Sequence, residues 1–403
     1  MSEIKLTPLL KRSLQQLTPS LIRTLSEKYS KIPGIINLTI GEPDFATPTD
    51  VKLAAIKSIL ADHTHYAPNK GTPQLLQAIS DYLLKHFELQ YDPQTQIITT
   101  NGASEAISTV INGLIEPGDI VLLVEPAFSL YRTLTLANNG IPITLNAAHE
   151  HFKLTPSVLK QSLEHYGKRT KLVVLNYPNN PTGVTYTAAE LEALAAVLRE
   201  YQVAVLSDEV YSELTYFQQH VSLARYLPEQ VLLVNSVSKA YAMTGWRIGY
   251  LCGNAAIIKE LAKVHQANVA TVGTPNMDAA TAALQHGDLA INEMKKVYLQ
   301  KRKYLCKELQ KIGLEFVPPQ GTFYVYVRIP TTFEKDAAAY ADKLAHEALI
   351  AVIPGSAFEA AGSRYFRISY AVSMEKLQLA VQRLTVFVHN TVADKSHIQE
   401  VRK

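Results

Sequence analysis

The sequence predicts an α/β protein built on a mostly parallel sheet with helices on both faces. Three observations carry that expectation. Between residues 97 and 234, short apolar runs alternate with helical patterns, as βαβ units require. Polar clusters fall just after those runs, at Asn101 to Ser104, Asn176 to Gly183, Ser207 to Tyr211 and Ser236 to Lys239. In such sheets ligands bind past the carboxyl ends of the strands. After Gly313 the alternation loosens, which reads as a smaller α+β domain.

Each element follows from local pattern. Residues 18–29 are helical, with Thr18-Pro19 as a start signal. Residues 35–45 form a short strand ending in a Gly/Pro turn. There Gly41 is either a plain connector or a point where a ligand meets the backbone. Helices are expected over 49–60 and 73–87, with an irregular loop carrying Tyr66 between them. Strands are expected at 97–100, 120–124, 141–145, 172–175, 203–206 and 231–234, and Cys252 lies in a further apolar strand. The intervening helices cover 101–115, 128–137, 156–163 and 187–200. Helices at 255–266, 276–286 and 289–311 follow, the last stopped by Gly313. The remaining expectations are strands at 315–317, 323–327, 351–353 and 365–370, with helices at 336–349 and 374–388. The tail beyond Asn390 is polar and expected to fray. The implied division is an N-terminal segment 1–46 joining the small domain, a large domain 47–287, a small domain 288–390 and a tail 391–403.

The totals exclude several classes. A chain of 403 residues exceeds one small core. Hydrophobic residues make up 47% and charged residues 19%, as in globular proteins. A net charge of +3 with dispersed Lys and Arg gives no case for nucleic acid or membrane surfaces. Cys252 and Cys306 are distant and read as buried thiols. The twelve histidines show no metal-ligand spacing, so no metal is expected. There is no signal-peptide core and no apolar run of membrane-spanning length, so a cytoplasmic location is the default expectation.

The chemistry centres on Ser236-Val237-Ser238-Lys239, with Arg247 eight residues after the lysine. Hydroxyls and a guanidinium suit phosphate oxygens. A lysine beside them makes sense as a nucleophile for a phosphorylated carbonyl, and pyridoxal phosphate supplies both groups. A solvated Ser/Lys loop is the bland alternative. Each task of such a site has a candidate. Gly102-Ala103-Ser104 opens a helix whose N–H groups suit a phosphate, although a simple turn would look the same. Asp208 ends a buried strand and could keep a pyridine nitrogen protonated, or cap a helix, while Glu209 beside it could be merely solvated. Tyr211 and Asn180 could donate to the ring oxygen, Asn180 also fitting a plain Asn/Pro/Gly turn. Phe128 could stack on the ring or belong to the core. Arg367, flanked by apolar residues, wants an anion, either a substrate carboxylate or a structural partner.

At these residues the chain resembles the class I/II aminotransferases of PLP fold type I. The resemblance spans roughly residues 17–388 with Asn-Asn-Pro-Thr-Gly, Asp-Glu-Val-Tyr, Ser-x-Ser-Lys with its distal Arg, and Arg-Ile-Ser in family order. It implies a seven-stranded, mostly parallel sheet in an α/β/α sandwich plus a smaller α+β domain. It further implies that Lys239 holds pyridoxal 5'-phosphate as an internal aldimine and moves the proton between Cα and C4′. Asp208 would pair the pyridine nitrogen, and Asn180 and Tyr211 would contact the phenolic oxygen. Gly102, Ala103, Ser104, Ser236, Ser238 and Arg247 would surround the phosphate, and Phe128 would stack. Arg367, Asn180 and the Gly41 backbone would take the substrate carboxylate. Tyr66 looks like the tyrosine that reaches the neighbouring subunit's phosphate, implying a homodimer.

The partners implied are an amino acid and a 2-oxo acid. Dicarboxylate-specific relatives carry a second arginine, or a lysine where this chain has Ser104. That lysine is absent, and the sequence alone places no second arginine, so aspartate-only specificity is disfavoured. Leu38 to Phe45 looks most like the bacterial branch of aromatic amino acid aminotransferases, which also holds N-acetyl-diaminopimelate aminotransferases. An aromatic or broad neutral donor comes first, with N-acetyl-diaminopimelate as the alternative. A carbon–sulfur β-lyase on the same fold shares nearly every catalytic residue. A regulator with an aminotransferase-like domain would need a DNA-binding module in front, and no basic helix-turn-helix pattern is present.

Overall fold

The computed structural model describes residues 7–333, 335–358 and 364–401, so the ends of the expected segments 1–46 and 391–403 lie partly outside the described residues. Its strands, in chain order, are β1 (Ile36–Asn37), β2 (Ile97–Asn101), β3 (Ile120–Glu125), β4 (Ile141–Asn146), β5 (Thr170–Asn176), β6 (Ala204–Asp208), β7 (Val231–Ser236), β8 (Ile248–Cys252), β9 (Phe316–Val317), β10 (Tyr324–Arg328), β11 (Ile350–Ala351), β12 (Ile353–Pro354) and β13 (Tyr365–Ser369). Seven of them form one sheet in the order β2-β8-β7-β6-β5-β3-β4. The pairs from β7 through β4 are parallel.

Strand β8 is the exception, antiparallel to both β2 and β7. Its five residues are all buried. The link from Ser236 to Ile248 holds only a one-turn helix, Val237–Ala240, and a 3-10 turn, Thr244–Trp246. A parallel return needs a crossover of about a dozen residues, usually with a full helix, so the chain folds straight back.

Alternate residues of the sheet face opposite cores. Ile97, Ile120, Leu122, Val173, Leu175, Val205 and Leu233 pack on one side. Ile98, Val121, Leu123, Leu172, Val174, Leu206 and Val234 pack on the other. Burial on both faces explains why these strands read as unbroken apolar runs. Each such side chain contributes about 1.5–3 kcal/mol on leaving water.

A separate apolar cluster joins Met294, Tyr298, Leu305 and Leu309 to Phe323, Val325, Phe366, Ile368, Leu377 and Leu384. It covers a four-stranded antiparallel sheet ordered β12-β13-β10-β9. Ile36 and Leu38 belong to this cluster, and β1 pairs in parallel with β11.

Three helix expectations change. The first helix is Leu21–Ser30, starting after Ser20 without a side-chain cap. The segment expected as one helix at 336–349 is Ala337–Lys343 followed by a π turn, Leu344–Ala348, closing at Leu349 in the left-handed region. The last helix continues to Val401 instead of stopping at Val388 and fraying. No helix among the described residues is long and apolar enough to cross a membrane.

Candidate active site

The carboxyl ends of β5, β6 and β7 converge on a cavity of about 440 Å³. Lys239, Asp208, Asn180, Tyr211, Ser236, Ser238, Arg247, Phe128, Ala103, Ser104, Gly41 and Arg367 all line it. A larger cleft of about 1060 Å³ opens between residues 148–156 and 315–320. Its Lys153 is tied to Glu190. Size does not decide between the two; the smaller cavity gathers a half-buried amine, a buried carboxylate and a buried guanidinium.

Lys239 sits in the one-turn helix that follows β7, and Ser236 caps that helix by accepting from the Ser238 N–H at 3.4 Å. Its Nζ donates to the Gly41 carbonyl at 2.6 Å. Burial, reinforced by the Arg367 charge, lowers its pKa from 10.5 to about 8. A sizeable minority of the amine is therefore in its neutral, nucleophilic form near physiological pH.

Asp208 closes β6 and is 4% exposed. Its Oδ2 accepts from the Tyr131 hydroxyl at 2.5 Å and Oδ1 from the Val210 N–H at 3.3 Å. Burial raises its pKa from 3.8 to about 6, against the lowering effect of the Tyr131 bond. No described cation pairs with it. A protonated ring nitrogen would supply the missing partner.

Arg367 on β13 is 1% exposed. Nη1 donates to Asn180 Oδ1 at 2.9 Å and Nη2 to the Thr39 carbonyl at 2.6 Å, while Nε has no partner. The guanidinium lies 4.2 Å from the Tyr324 ring centre and 5.0 Å from that of Phe358. Among the described residues no carboxylate approaches it, and burial lowers its pKa. A buried cation without an anion is costly, so the structural salt bridge that could have explained it is absent from the described residues.

Two glycines make room. A Cβ on Gly41 would lie 2.3 Å from Tyr324 Oη. That hydroxyl in turn meets Tyr211 Oη at 3.0 Å. Gly102 has φ +75°, and a Cβ there would lie 2.4 Å from an Arg247 terminal nitrogen. The Gly102 N–H is already donated to the Thr100 carbonyl at 2.8 Å. Gly102 itself is not among the cavity's lining residues, whereas Ala103 and Ser104, at the start of the helix Ala103–Leu114, are. Among the described residues, Arg247 donates to the Thr244 and Asn101 carbonyls. Phe128 meets Tyr131 edge to face at 6.1 Å between centres. Tyr66 is 91% exposed and does not line this cavity.

Sequence reasoning missed several contributors. Tyr131 and Tyr324, which no motif singles out, line the cavity. Arg23, from the helix Leu21–Ser30, also lines the cavity. Glu209, read as possibly solvated, is 1% exposed. Its Oε1 accepts from Ser207, Ser222 and Tyr177, and its Oε2 lies 2.7 Å from His220 Nε2. The spacing of Glu209 and His220 matches no common motif, so nothing in the sequence pointed to this pair.

The donor set suits a phosphorylated aromatic aldehyde with a basic ring nitrogen. It offers an amine for the carbonyl, a carboxylate for the ring nitrogen, and hydroxyls with Arg247 for the phosphate. Arg367 is left for a second anion. Among the described residues, no cluster of three or more His, Cys, Asp or Glu could hold a metal ion.

Known proteins agree. The family described as Aminotransferase class I and II matches residues 33–384. A Bacillus subtilis relative named probable N-acetyl-LL-diaminopimelate aminotransferase is 38% identical, covering 94% of this chain and 96% of its own. The solved aspartate aminotransferase of Thermus thermophilus with maleate superposes with a TM-score of 0.89 at 33% identity, covering 93% of this chain and 98% of that one. An aromatic aminotransferase from Pyrococcus horikoshii gives 0.85 at 35% identity, covering 91% and 99%.

Proposed function

The chain belongs to the class I and II aminotransferases, which are pyridoxal-phosphate enzymes, and from that premise we propose which substrates it takes and which residues act. It moves the amino group of an aromatic or broadly neutral L-amino acid to a 2-oxo acid such as 2-oxoglutarate, in ping-pong fashion. The observation that carries this reading is Arg367: a buried guanidinium with no carboxylate partner among the described residues, lining the cavity that holds Lys239 and Asp208.

Pyridoxal phosphate, when bound, supplies an aldehyde that captures amines and a ring that draws electrons from the substrate's α-carbon. Lys239 Nζ would hold it, and would remove and return the proton at the substrate's α-carbon. Placed proton transfer of this kind contributes about 10²–10⁴-fold. Asp208, whose carboxylate accepts from the Tyr131 hydroxyl, would keep the ring nitrogen protonated. Tyr211 and Asn180 would hold the ring oxygen, and Phe128 would cover the ring. Ala103, Ser104, Ser236, Ser238 and Arg247 would frame the phosphate, with Gly102 leaving room beside Arg247. Arg367 forks the substrate carboxylate, with Asn180 and the Gly41 backbone beside it.

A homodimer is part of the proposal. Tyr66 stands out from its own subunit, and Leu53, Ile56 and Leu60 line an exposed apolar stripe on the helix Thr49–Leu60. In the dimer Tyr66 reaches the partner's phosphate. The division at 46/47, 287/288 and 390/391 and a cytoplasmic location belong to the same reading. Separate apolar clusters and two unpaired cysteines support them.

The Bacillus relative's name keeps N-acetyl-diaminopimelate as a second donor. A donor screen with 2-oxoglutarate, following the aldehyde-to-amine absorbance change, tests the choice. Phenylalanine and tyrosine should turn over. Fast turnover of N-acetyl-diaminopimelate with almost none of either aromatic would reverse the assignment.

A further inference from the structure

We propose that the larger cleft of about 1060 Å³ is a second binding site, for a small monocarboxylate that carries an aromatic ring. The inference stands apart from the donor and acceptor of the proposed function.

The cleft runs between two parts of the fold. Residues 148–156 and the helix Ala188–Leu198 line one side. The long helix Asp288–Lys311, strand β9 and Tyr365 of β13 line the other. Small-molecule sites favour such junctions, run to about 300–1,000 Å³, and are mostly apolar with a few placed polar groups.

The placed polar group here is Arg302. Lys153 Nζ donates to both Glu190 oxygens, at 2.8 and 2.9 Å. Glu315 is held by Arg328 at 2.8 Å. Arg302 has no such partner. Its Nε donates to the Pro319 carbonyl at 2.6 Å, and its guanidinium lies 4.5 Å from the Phe217 ring centre. Among the described residues it pairs with no acid, Glu150 of the lining included, and its terminal nitrogens have no hydrogen-bond partner. A guanidinium held at Nε and over one face keeps those two nitrogens for a carboxylate. Gln320 adds a donor. Its Oε1 accepts from the Thr185 N–H at 3.1 Å, which fixes the amide and leaves its nitrogen without a described partner.

The apolar part of the lining is aromatic. His151 and Phe152 have φ of +53° and +63°, left-handed values that residues with a Cβ seldom adopt. Such strain persists only where the surroundings impose it, and it gathers at ligand clamps. The turn sets the Phe152 ring edge to face with Tyr365 at 5.4 Å and with Tyr326 at 5.9 Å. Yet the ring stays half-buried, so the strained turn does not complete a closed core. Phe152, Phe316 and Tyr365 line the same cleft as Arg302 and give a ring edge and face contacts. A carboxylate alone would leave these walls wet. An apolar molecule alone would leave Arg302 unpaired. The lining therefore calls for both groups in one ligand.

The test uses holoenzyme whose active site is closed by aminooxyacetate, which condenses with the cofactor's aldehyde and is followed by absorbance. 4-Phenylbutyrate is titrated by calorimetry into wild type, Arg302→Gln and Ala193→Trp. Ala193 is exposed on the cleft wall, so tryptophan there fills the cleft without entering the core. Wild type should bind one molecule per chain. Arg302→Gln should weaken binding roughly 10- to 100-fold, the size of one charge-assisted hydrogen bond. Ala193→Trp should abolish it. Butyrate, which lacks the ring, and 4-phenylbutylamine, which lacks the carboxylate, should each bind at least about 10-fold more weakly. Both variants, left unblocked, should transfer amino groups as wild type does, which shows them folded. No saturable binding to blocked wild type, or binding that Ala193→Trp leaves intact, overturns the site. Equal affinity in Arg302→Gln and wild type, or in 4-phenylbutylamine and 4-phenylbutyrate, overturns the ligand class.

Discussion

Replacing Asp208 with asparagine should make the stability of the cofactor-free protein less sensitive to pH while weakening its hold on the cofactor. The carboxyl is buried, and burial lifts its pKa from 3.8 to about 6. The folded state therefore keeps a proton that the unfolded chain releases between those values. The stability this contributes is fully present below about pH 3.8 and is lost as pH rises through about 6. A carboxyl titrating about two pH units too high costs about 3 kcal/mol once ionised. Asparagine cannot ionise, so it avoids this cost. Its amide nitrogen lacks an acceptor and costs about 1–3 kcal/mol, but at every pH alike. The decisive quantity is thus the pH dependence of the difference. Urea unfolding of both cofactor-free proteins from pH 4 to 8 should show the gap moving toward Asp208→Asn by up to about 3 kcal/mol. A gap that stays flat, or moves the other way, refutes the reasoning.

Four further outcomes are expected. Arg367→Gln removes two charge-assisted bonds to the substrate carboxylate and should lower kcat/KM about 10²-fold or more in single-turnover assays. In the cofactor-free protein, labelling of Lys239 by an amine reagent, mapped by mass spectrometry, should rise through about pH 8; a midpoint near 10.5 would contradict the desolvation argument. Glu209→Ala or His220→Ala leaves a buried polar partner alone and should cost about 3–5 kcal/mol in urea unfolding, with the double change well below the sum. Gly41→Ala drives a methyl to 2.3 Å from Tyr324 Oη, and should weaken amino-acid binding, seen by absorbance titration, while costing about 1–3 kcal/mol from overpacking.

The large sheet was legible because its strands are buried on both faces and its functional loops share one edge. The helices Thr49–Leu60 and Pro73–Phe87 matched their expected bounds, the second helped by Thr72 accepting from the Leu75 N–H. The family resemblance located the residues on those loops. Long-range partners were not legible. Tyr131 lies 77 residues from Asp208, and Arg367 lies 187 from Asn180. Arg23 reads as one more charge on an amphipathic helix until the fold carries that helix to the cavity. The π turn at Leu344–Ala348 interrupts a pattern that favours a continuous helix, so tertiary packing overrode propensity there.

The segment from Leu38 to Asp44 links these findings. It brings two carbonyls to two of the cavity's cations: Thr39 accepts from Arg367 and Gly41 from Lys239. Its outer end is fixed to β13, where the Ser369 N–H donates to the Leu38 carbonyl at 3.0 Å. Its far end is fixed to the long helix Asp288–Lys311, where buried Lys301 meets Asp44 at 2.6 Å. The carbonyl positions are thus set by the cluster holding Tyr298 and Ile368, not by the large sheet that carries Lys239. An amine on one element and its acceptor on another stay in register only if both elements hold their places. Any movement of that cluster toward the sheet would change the Lys239 and Arg367 environments together, so in the proposed function substrate-carboxylate capture and amine release would be mechanically tied through these few residues.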